Sequence, residues 1–317
     1  MSCQHTAVQQ VTEYPWIAVS GFGAHIKTTA TTLIIRKKNT VEEYPLGEVK
    51  SLLIVGGHTI NSAAITSLIR RGACISFFEP DGTPAGTLCP PVPAGEPGAD
   101  IKKVPRHRFA VALAQASAKA RLFFMEQEES QKNARLFYEG ELDFLRKSEE
   151  ELAFLIKLDE IRRLHRLVSD MYYEIMSRNL PPDLGFRRRG KRPHTDPVNA
   201  MLSLGYAMLF GNCTVAAFGA RLDPDNGFLH DGKDSLVHDL IDPLKPAMVD
   251  TVVFALAREG LKEGDYELTP GRCILSEDLV RQMTARLRGS IQVPTVNRQV
   301  LGLAEAVRNG GAFTALY

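Results

Sequence analysis

The first ninety residues carry short apolar runs that are typical of β-strands. Four β-branched or aromatic runs, PWIAVSGFG, TTLIIRKK, SLLIVGG and ACISFFEP, are separated by turns rich in glycine, asparagine and charge. Between the last two runs, INSAAITSLIRRG has apolar residues at helical spacing, with Asn61 as a possible N-cap and Gly72 as a stop. One helix among several strands predicts a small β-rich domain over residues 1–90.

The pattern changes after this domain. The stretch CPPVPAGEPGADIKKVP is rich in proline and glycine and has few residues that could pack, which predicts a linker over residues 91–106. From residue 107 onward, apolar residues recur every three or four positions almost to the end, which is typical of helices. The predicted fold class is therefore α+β, with a small β-rich N-terminal domain joined to a larger all-α C-terminal domain over residues 107–317.

Composition indicates an ordinary globular protein, with 44% hydrophobic and 24% charged residues. The formal net charge is +1, so any signature of a nucleic-acid binder must be local. The five cysteines lie far apart without a C-x-x-C pair, which argues against a thiolate zinc site and against a disulfide framework. With no signal-peptide pattern and no apolar run near the ~18 to 20 residues that span a bilayer, we expect a cytoplasmic protein without membrane contact.

One short segment, GFLHDGKDSLVHDLIDP, carries candidate metal ligands: His230, Asp239 and Asp242. Neutral imidazole and carboxylate oxygens are ligands of divalent metals, and the i, i+3 spacing of the two aspartates places both on one helical face. Spacing alone leaves other interpretations open. Lone histidines and surface aspartates are common, and Asp242 equally suits the cap of a helix that begins after Pro243.

A basic cluster lies in FRRRGKRPHTDPVNA and comprises Arg187, Arg188, Arg189, Lys191 and Arg192. Such a local concentration of positive charge suits a phosphate backbone, although a solvated surface loop is an equal alternative. In the helix that follows, Asn199, Ser203 and Tyr206 form a polar stripe at i, i+4, i+7 spacing. The stripe predicts either one wall of a site or an interhelical hydrogen-bond network.

The order of these segments resembles the CRISPR-associated integrase family that inserts new spacers. DPVNAMLSLGYAML is similar to the family pattern DP-x-NA-x-LS-x-GY, and GFLH followed by SLVHDLID is similar to G-x-LH and SL-x-x-DL-x-E/D. The stretch LIVGGHTINSAAITSLIRRGACISFFEPDGTPAGTL also resembles the β domain of that family. The resemblance covers nearly the whole chain.

The resemblance implies three metal ligands in the helical domain: a glutamate, the histidine of G-x-LH and the acid of the last segment. The last two correspond to His230 and Asp242, with Asp239 as a nearby acidic residue. The glutamate belongs to a pattern R-x-x-EG, which here reads Arg162-Arg163-Leu164-His165-Arg166, so His165 stands at the glutamate position. A site of two histidines and one aspartate would favour Mn²⁺ over Mg²⁺, whereas a His165 that points aside, is protonated near DNA or merely packs would leave the site incomplete.

The implied function is a metal-dependent DNA endonuclease and integrase that inserts short fragments into a CRISPR array by attack of a 3′-hydroxyl. The basic cluster would clamp the backbone, with Asn199 and Tyr206 as supporting or strand-contacting groups. The implied partners are double-stranded and branched DNA, a second copy of the chain that pairs through the β domain, and a small ferredoxin-like CRISPR-associated protein. Two alternatives stay open: a DNA-binding scaffold with lost or weakened catalysis because of His165, and a related integrase outside an adaptive-immunity locus.

Overall fold

The computed structural model describes residues 8–9, 14, 16–38, 40–90, 101–132 and 136–317. It divides the chain into two compact units, the first comprising Met1–Asp100 and Gly211–Pro224, the second Ile101–Phe210 and Asp225–Tyr317. Residues 91–100 of the predicted linker lie outside the described residues. The remainder of that linker holds a 3₁₀ turn, Ile101–Lys103, and the first residue of a long helix. The predicted domain boundaries stay a prediction, and the segment 211–224 groups with the first unit rather than with the helical one.

The described part of the first unit contains nine strands in two sheets. One sheet contains β1 (Val8–Gln9), β3 (His25–Thr28), β4 (Thr32–Lys37), β5 (Thr40–Pro45) and β7 (Thr59–Ile60), in the order β1-β5-β4-β3-β7. The other contains β2 (Trp16–Ser20), β6 (Ser51–Val55), β8 (Cys74–Phe78) and β9 (Pro84–Leu88), in the order β2-β6-β8-β9. The four predicted runs correspond to β2, β4, β6 and β8. All five residues of β6 are buried, which explains why this strand is continuously apolar rather than alternating.

The helix predicted inside this unit is α1 (Ser62–Arg70), which connects the parallel strands β6 and β8. Asn61 caps it as expected, because its Oδ1 accepts a hydrogen bond of 2.7 Å from the Ala64 backbone N–H. Gly72 follows the helix with φ of +85°, a conformation that residues with a Cβ rarely adopt. Leu68 of α1 is fully buried with Leu52 of β6 and Ile75 of β8, so the crossover supplies the centre of this unit's core.

The cysteine spacing argued against a disulfide framework, and the structure departs from that expectation at one pair. Cys74 and Cys89 are disulfide-bonded, with their Cα atoms 4.5 Å apart. The sequence separation of 15 residues gave no spacing signal. The cause is strand pairing: β8 and β9 are antiparallel with Ile75 opposite Leu88, which places Cys74 opposite the residue after Leu88.

The second unit is built mainly from helices. They are α2 (Arg106–Lys132), α3 (Glu141–Leu152), α4 (Leu158–Ser177), α5 (Pro197–Gly219, whose residues from Gly211 onward belong to the first unit), α6 (Ser235–Ile241), α7 (Thr251–Glu259), α8 (Glu277–Ser290) and α9 (Val293–Asn309). A short antiparallel hairpin, β10 (Tyr266–Leu268) and β11 (Cys273–Leu275), interrupts them. The predicted fold class is confirmed, and the hairpin is an addition to what was expected to be all-α.

Between α6 and α7 the chain stays helical but irregular. A 3₁₀ turn, Asp242–Leu244, is followed by a wider π-type turn, Pro246–Asp250. Pro243 and Pro246 lack the backbone N–H that a regular α-helix needs, which accounts for the change of winding. Asp242 therefore lies at the end of α6 as its C-cap residue, and its carboxylate bonds to other side chains rather than to the start of a helix.

Within the described residues, α5 has the length and composition of a membrane-crossing segment, and 56% of its most apolar window is buried in the structure. The expectation that no apolar run reaches this length is therefore wrong. Buried core helices pass the same test, so the finding is weak evidence for a membrane span.

Candidate functional site

A cleft of about 580 Å³ in the second unit brings together the three residues expected to bind metal. His165 comes from α4, His230 from the loop before α6, and Asp242 from the turn after α6. The Nε2 atom of His165 lies 2.8 Å from Oδ2 of Asp242, and the ring centres of His165 and His230 are 6.3 Å apart. Residues separated by 77 positions in the chain thus share one wall of the cleft.

Asp239 does not line the cleft but lies fully buried behind it. Its carboxylate accepts hydrogen bonds from the backbone N–H groups of Phe228, Leu229 and His230, at 2.5, 2.9 and 3.0 Å. It also lies 2.6 Å from Nδ1 of the His230 ring. Asp239 therefore fixes both the loop and the ring orientation, and Nε2 is the nitrogen of His230 left to meet a ligand in the cleft.

The carboxylate of Asp242 is surrounded by donors. Lys245 Nζ lies 2.7 Å from Oδ1, and Arg121 Nη2 lies 3.1 and 2.9 Å from Oδ1 and Oδ2. Ser117 Oγ also donates to Oδ2, beside His165. Burial alone would raise the pKa of Asp242, but the Arg121 guanidinium and the Lys245 ammonium outweigh burial and hold that pKa well below its usual range.

The arrangement does not fit the divalent ion, Mg²⁺ or Mn²⁺, expected at His165, His230 and Asp242. A carboxylate offers about four lone-pair positions, and the four side chains around Asp242 already use them. Among the described residues that line the cleft, Asp242 is also the only carboxylate. Within the part of the chain that the structure describes, no group of three or more His, Cys, Asp or Glu side chains could hold a metal ion.

The lining of the cleft is instead strongly cationic. Its charged members besides Asp242 are Arg162, Arg166, Arg189, Arg192 and Lys245, and a third histidine, His238, lies 6.1 Å from the His230 ring. Arg162 is paired with Asp231 at 2.7 Å, whereas Arg166 and Arg192 are exposed to solvent. Such a lining suits a phosphate backbone rather than a metal cation.

The predicted basic cluster divides between the cleft and the surface around it. Arg189 and Arg192 line the cleft, and Arg187, Arg188 and Lys191 are exposed outside its lining. Asn199 is buried, accepts from Arg189 Nη1 at 2.7 Å and from the Gly190 N–H at 3.0 Å, and donates to the Arg188 carbonyl at 3.0 Å. Asn199 thus holds the backbone of the cluster rather than facing a ligand.

The polar stripe of α5 forms part of the cleft wall through Ser203 and Tyr206. Ser203 Oγ accepts from Arg189 Nη2 at 2.6 Å and lies 2.6 Å from Nε2 of His194. The hydrogen bonds connect α5 with the preceding loop, so the stripe fixes the position of Arg189.

Tyr206 forms a platform beneath two cations. Lys245 Nζ and the Arg189 guanidinium carbon lie 5.1 and 5.4 Å from its ring centre. Its hydroxyl donates to Asp250 Oδ1 at 2.5 Å, and Tyr172 donates to Oδ2 at 2.8 Å. Burial raises the pKa of Asp250, although both tyrosine hydroxyls favour its ionised form. The hydrogen bond to Asp250 thus fixes the position of the Tyr206 ring.

Sequence reasoning missed Arg121 and Lys245, the two cations that contact Asp242. Arg121 is 1% exposed and lies on α2 four residues after Ser117 and four before the fully buried Met125. A charged residue in phase with the apolar face of a helix is a signal that could have drawn attention to it. Lys245 follows the acidic segment directly, three residues after Asp242, which is also within reach on a helical face.

Known proteins are similar to this chain over most of its length. A family model described as "CRISPR associated protein Cas1" matches residues 17–288. A putative CRISPR-associated endonuclease Cas1 of Methanospirillum hungatei is 36% identical over 301 residues, which cover 94% of this chain and 99% of that protein. A CRISPR-associated endonuclease Cas1 of Thermus thermophilus is 28% identical, with coverage of 93% and 96%.

Solved structures share the fold. A Cas1 protein from Thermotoga maritima matches with a TM-score of 0.72 at 17% identity, covering 94% of this chain and 98% of that one. A casposase bound to its integration product matches with a TM-score of 0.76 at 18% identity, covering 95% and 99%. A partial Cas6-RT-Cas1–Cas2 complex matches with a TM-score of 0.71 at 20% identity, covering 96% and 99%. The sequence matches confirm the family resemblance, and the chain belongs to the Cas1 family of CRISPR-associated proteins.

Proposed function

We propose that this chain takes part in the integration of short DNA fragments into a CRISPR array, and that its cleft holds the phosphate backbone of duplex or branched DNA. The observation that carries the proposal is the cationic lining of a cleft in a chain whose formal net charge is only +1. Positive charge is concentrated there by five side chains from α4, from the loop before α5 and from the turn after α6. A local field of this kind attracts a polyanion although the chain as a whole is nearly neutral.

The contribution of the chain itself is binding and positioning, with strand transfer weak or absent. Metal-assisted attack of a 3′-hydroxyl requires ligands that accept a divalent ion, and the carboxylate of Asp242 is occupied by protein cations. The scaffold interpretation therefore fits the cleft better than the catalytic one. Family membership supports a place in spacer integration for either interpretation.

Catalysis by this chain is the second candidate, and one observation favours it. His230 lines the cleft and is held by Asp239 through Nδ1, which is the arrangement that orients an imidazole for binding or proton transfer. In this version the chain is an endonuclease, as its relatives are named, and acts also as an integrase.

The same comparisons support DNA and a second CRISPR-associated protein as partners. One structural neighbour is a partial Cas6-RT-Cas1–Cas2 complex, and another is a casposase bound to its integration product. We propose a homodimer that works with a small ferredoxin-like CRISPR-associated protein on DNA in the cytoplasm.

The test combines binding and chemistry on one labelled branched DNA. Fluorescence anisotropy over a series of salt concentrations should give tight, salt-dependent binding by the natural chain. Arg166→Ala and Arg192→Ala should each weaken binding and reduce the slope of log K against log salt by about 0.9. Arg281→Ala removes an arginine that is 76% exposed on α8, outside the cleft, and is the matched control.

Strand transfer is then measured on the same DNA with Mg²⁺ and with Mn²⁺. Binding without product supports the scaffold interpretation, and product that disappears in His230→Ala supports the catalytic one. DNA binding that is weak, insensitive to salt or unchanged in both cleft variants would overturn the proposed use of the cleft.

A further inference from the structure

We infer that the Arg121 guanidinium, together with the Lys245 ammonium, stands as a built-in counter-cation at Asp242 and excludes a divalent ion from this wall of the cleft. The functional consequence of this exclusion, a cleft that binds DNA without catalysis, rests on the proposed function. The exclusion itself concerns a cation site and is testable without DNA. Besides His165, the buried Arg121 separates this site from a metal-binding one, with Lys245 as a second cation at Asp242.

The contacts of Arg121 leave it little freedom to withdraw. Its side chain is 1% exposed, Nη1 donates to Ser117 Oγ at 2.6 Å, and Nη2 contacts both oxygens of Asp242. Moving the guanidinium away would leave a buried cation without its partner, which is strongly unfavourable. A guanidinium cannot lose its charge by deprotonation in a protein. The positive charge beside Asp242 is therefore permanent.

The charges at this wall also oppose a metal ion. Asp242 contributes one negative charge, whereas Arg121 and Lys245 contribute two positive charges within 3.1 Å of its oxygens. A divalent ion that approached the same oxygens would be repelled by both groups at short range, in a buried environment where screening is weak. Electrostatics and hydrogen bonding thus exclude the ion for separate reasons.

It follows that His165→Glu alone should not create a metal site. The new carboxylate would stand beside Asp242, at the place from which His165 Nε2 contacts it at 2.8 Å, and Arg121 would remain in contact with Asp242. Removing Arg121 as well should take the guanidinium off Oδ2 of Asp242, with Lys245 still in contact with Oδ1 and Ser117 with Oδ2, while the second carboxylate restores negative charge. The pair of changes should therefore act together rather than additively.

The experiment measures Mn²⁺ binding by the full chain, without DNA, by isothermal titration calorimetry. Natural protein, His165→Glu, Arg121→Met and the double variant His165→Glu/Arg121→Met are compared at up to 1 mM Mn²⁺. The expected result is binding at least tenfold tighter in the double variant than in either single variant, and none in the natural protein. Arg258→Met combined with His165→Glu is the matched control, since Arg258 is a partly buried arginine paired with Glu128 outside the cleft.

Sub-millimolar binding by the natural protein or by His165→Glu would overturn the inference, as would a folded double variant that binds no Mn²⁺. Thermal melting establishes folding, and Arg121→Gln replaces Arg121→Met if the latter does not fold. The natural protein also supplies a measurement that needs no variant. Histidine ring protons of His165 and His230 should show no selective paramagnetic broadening with Mn²⁺, and selective broadening would contradict the inference. DNA binding measured without metal reports on the proposed function separately.

Discussion

Asp239 and His230 form a carboxylate–imidazole pair in which Oδ1 lies 2.6 Å from Nδ1, with the carboxylate fully buried and the His230 side chain 46% exposed. The same carboxylate accepts three consecutive backbone N–H groups of the loop. Asp239 therefore holds the loop in its conformation, and this conformation directs the His230 ring into the cleft. The two residues should differ sharply when each is substituted.

Asp239→Asn should lower the free energy of unfolding by about 3 kcal/mol, because an amide can donate where only acceptors are tolerated and loses charge-assisted hydrogen bonds. His230→Ala should cost less than about 1 kcal/mol, since the ring is half exposed. Urea unfolding monitored by circular dichroism measures both. Equal losses in the two variants would show that the loop depends on the ring as much as on the carboxylate.

Tyr206 should contribute to DNA binding through its ring rather than through its hydroxyl. Tyr206→Phe loses the hydrogen bond to Asp250 and should reduce the free energy of unfolding by about 1–3 kcal/mol. It should leave DNA affinity unchanged, because the platform beneath Lys245 and Arg189 persists. Tyr206→Leu removes the platform and should weaken binding about fivefold. Equal DNA affinities of Tyr206→Phe and Tyr206→Leu in anisotropy titrations would count against a role for the ring.

His194 should make stability depend on pH near neutrality. Burial lowers its pKa, and Arg189 and Arg192 lower it further. The unfolded chain then binds the proton more readily than the folded chain, so stability should fall as pH drops below the unfolded value of about 6.5. In His194→Gln this decline should be smaller between pH 7 and pH 5.5, as measured by urea unfolding at each pH. A variant with the natural pH profile would assign the decline to other groups.

The disulfide between Cys74 and Cys89 should stabilise the first unit only under oxidising conditions. In the loop-entropy treatment, a closed loop of 15 residues corresponds to about 3 kcal/mol. Thermal melting with and without a thiol reductant should therefore show a lower melting temperature in the reduced protein. With and without reductant, Cys89→Ser should melt at the temperature at which the reduced natural protein melts. If the variant responds to reductant as the natural protein does, the effect comes from elsewhere.

The sequence indicated the local elements well, because these depend on short-range patterns. Asn61 could be recognised as a cap, and His230, Asp239 and Asp242 could be grouped, since a few residues separate them. Their division of labour was beyond the sequence. It depends on three N–H groups of the loop, which all donate to the carboxylate of Asp239. The carboxylate of Asp242 is left to bond with side chains.

Contacts between distant positions were the ones that could not be anticipated. Arg121 meets Asp242 across 121 residues, and no spacing rule connects a charged residue on one helix with an acid on another. Cys74 and Cys89 are close in the chain, yet their pairing depends on the register of a short, exposed strand that carried no apolar pattern. The metal expectation followed from the residue types and spacing of one short segment and from the family resemblance, and it took no account of Arg121.

Asp242 ties together α2, α4 and the turn after α6, through Ser117 and Arg121, His165, and Lys245. Asp242, which was expected to be a catalytic residue, thus also connects three helical elements. Selection for folding would preserve it even after catalytic activity is lost. Inactivity of a variant at this residue is therefore ambiguous unless its melting curve is measured beside it. Retention of such an acid in a relative is, for the same reason, a poor guide to whether that relative still cuts or joins DNA.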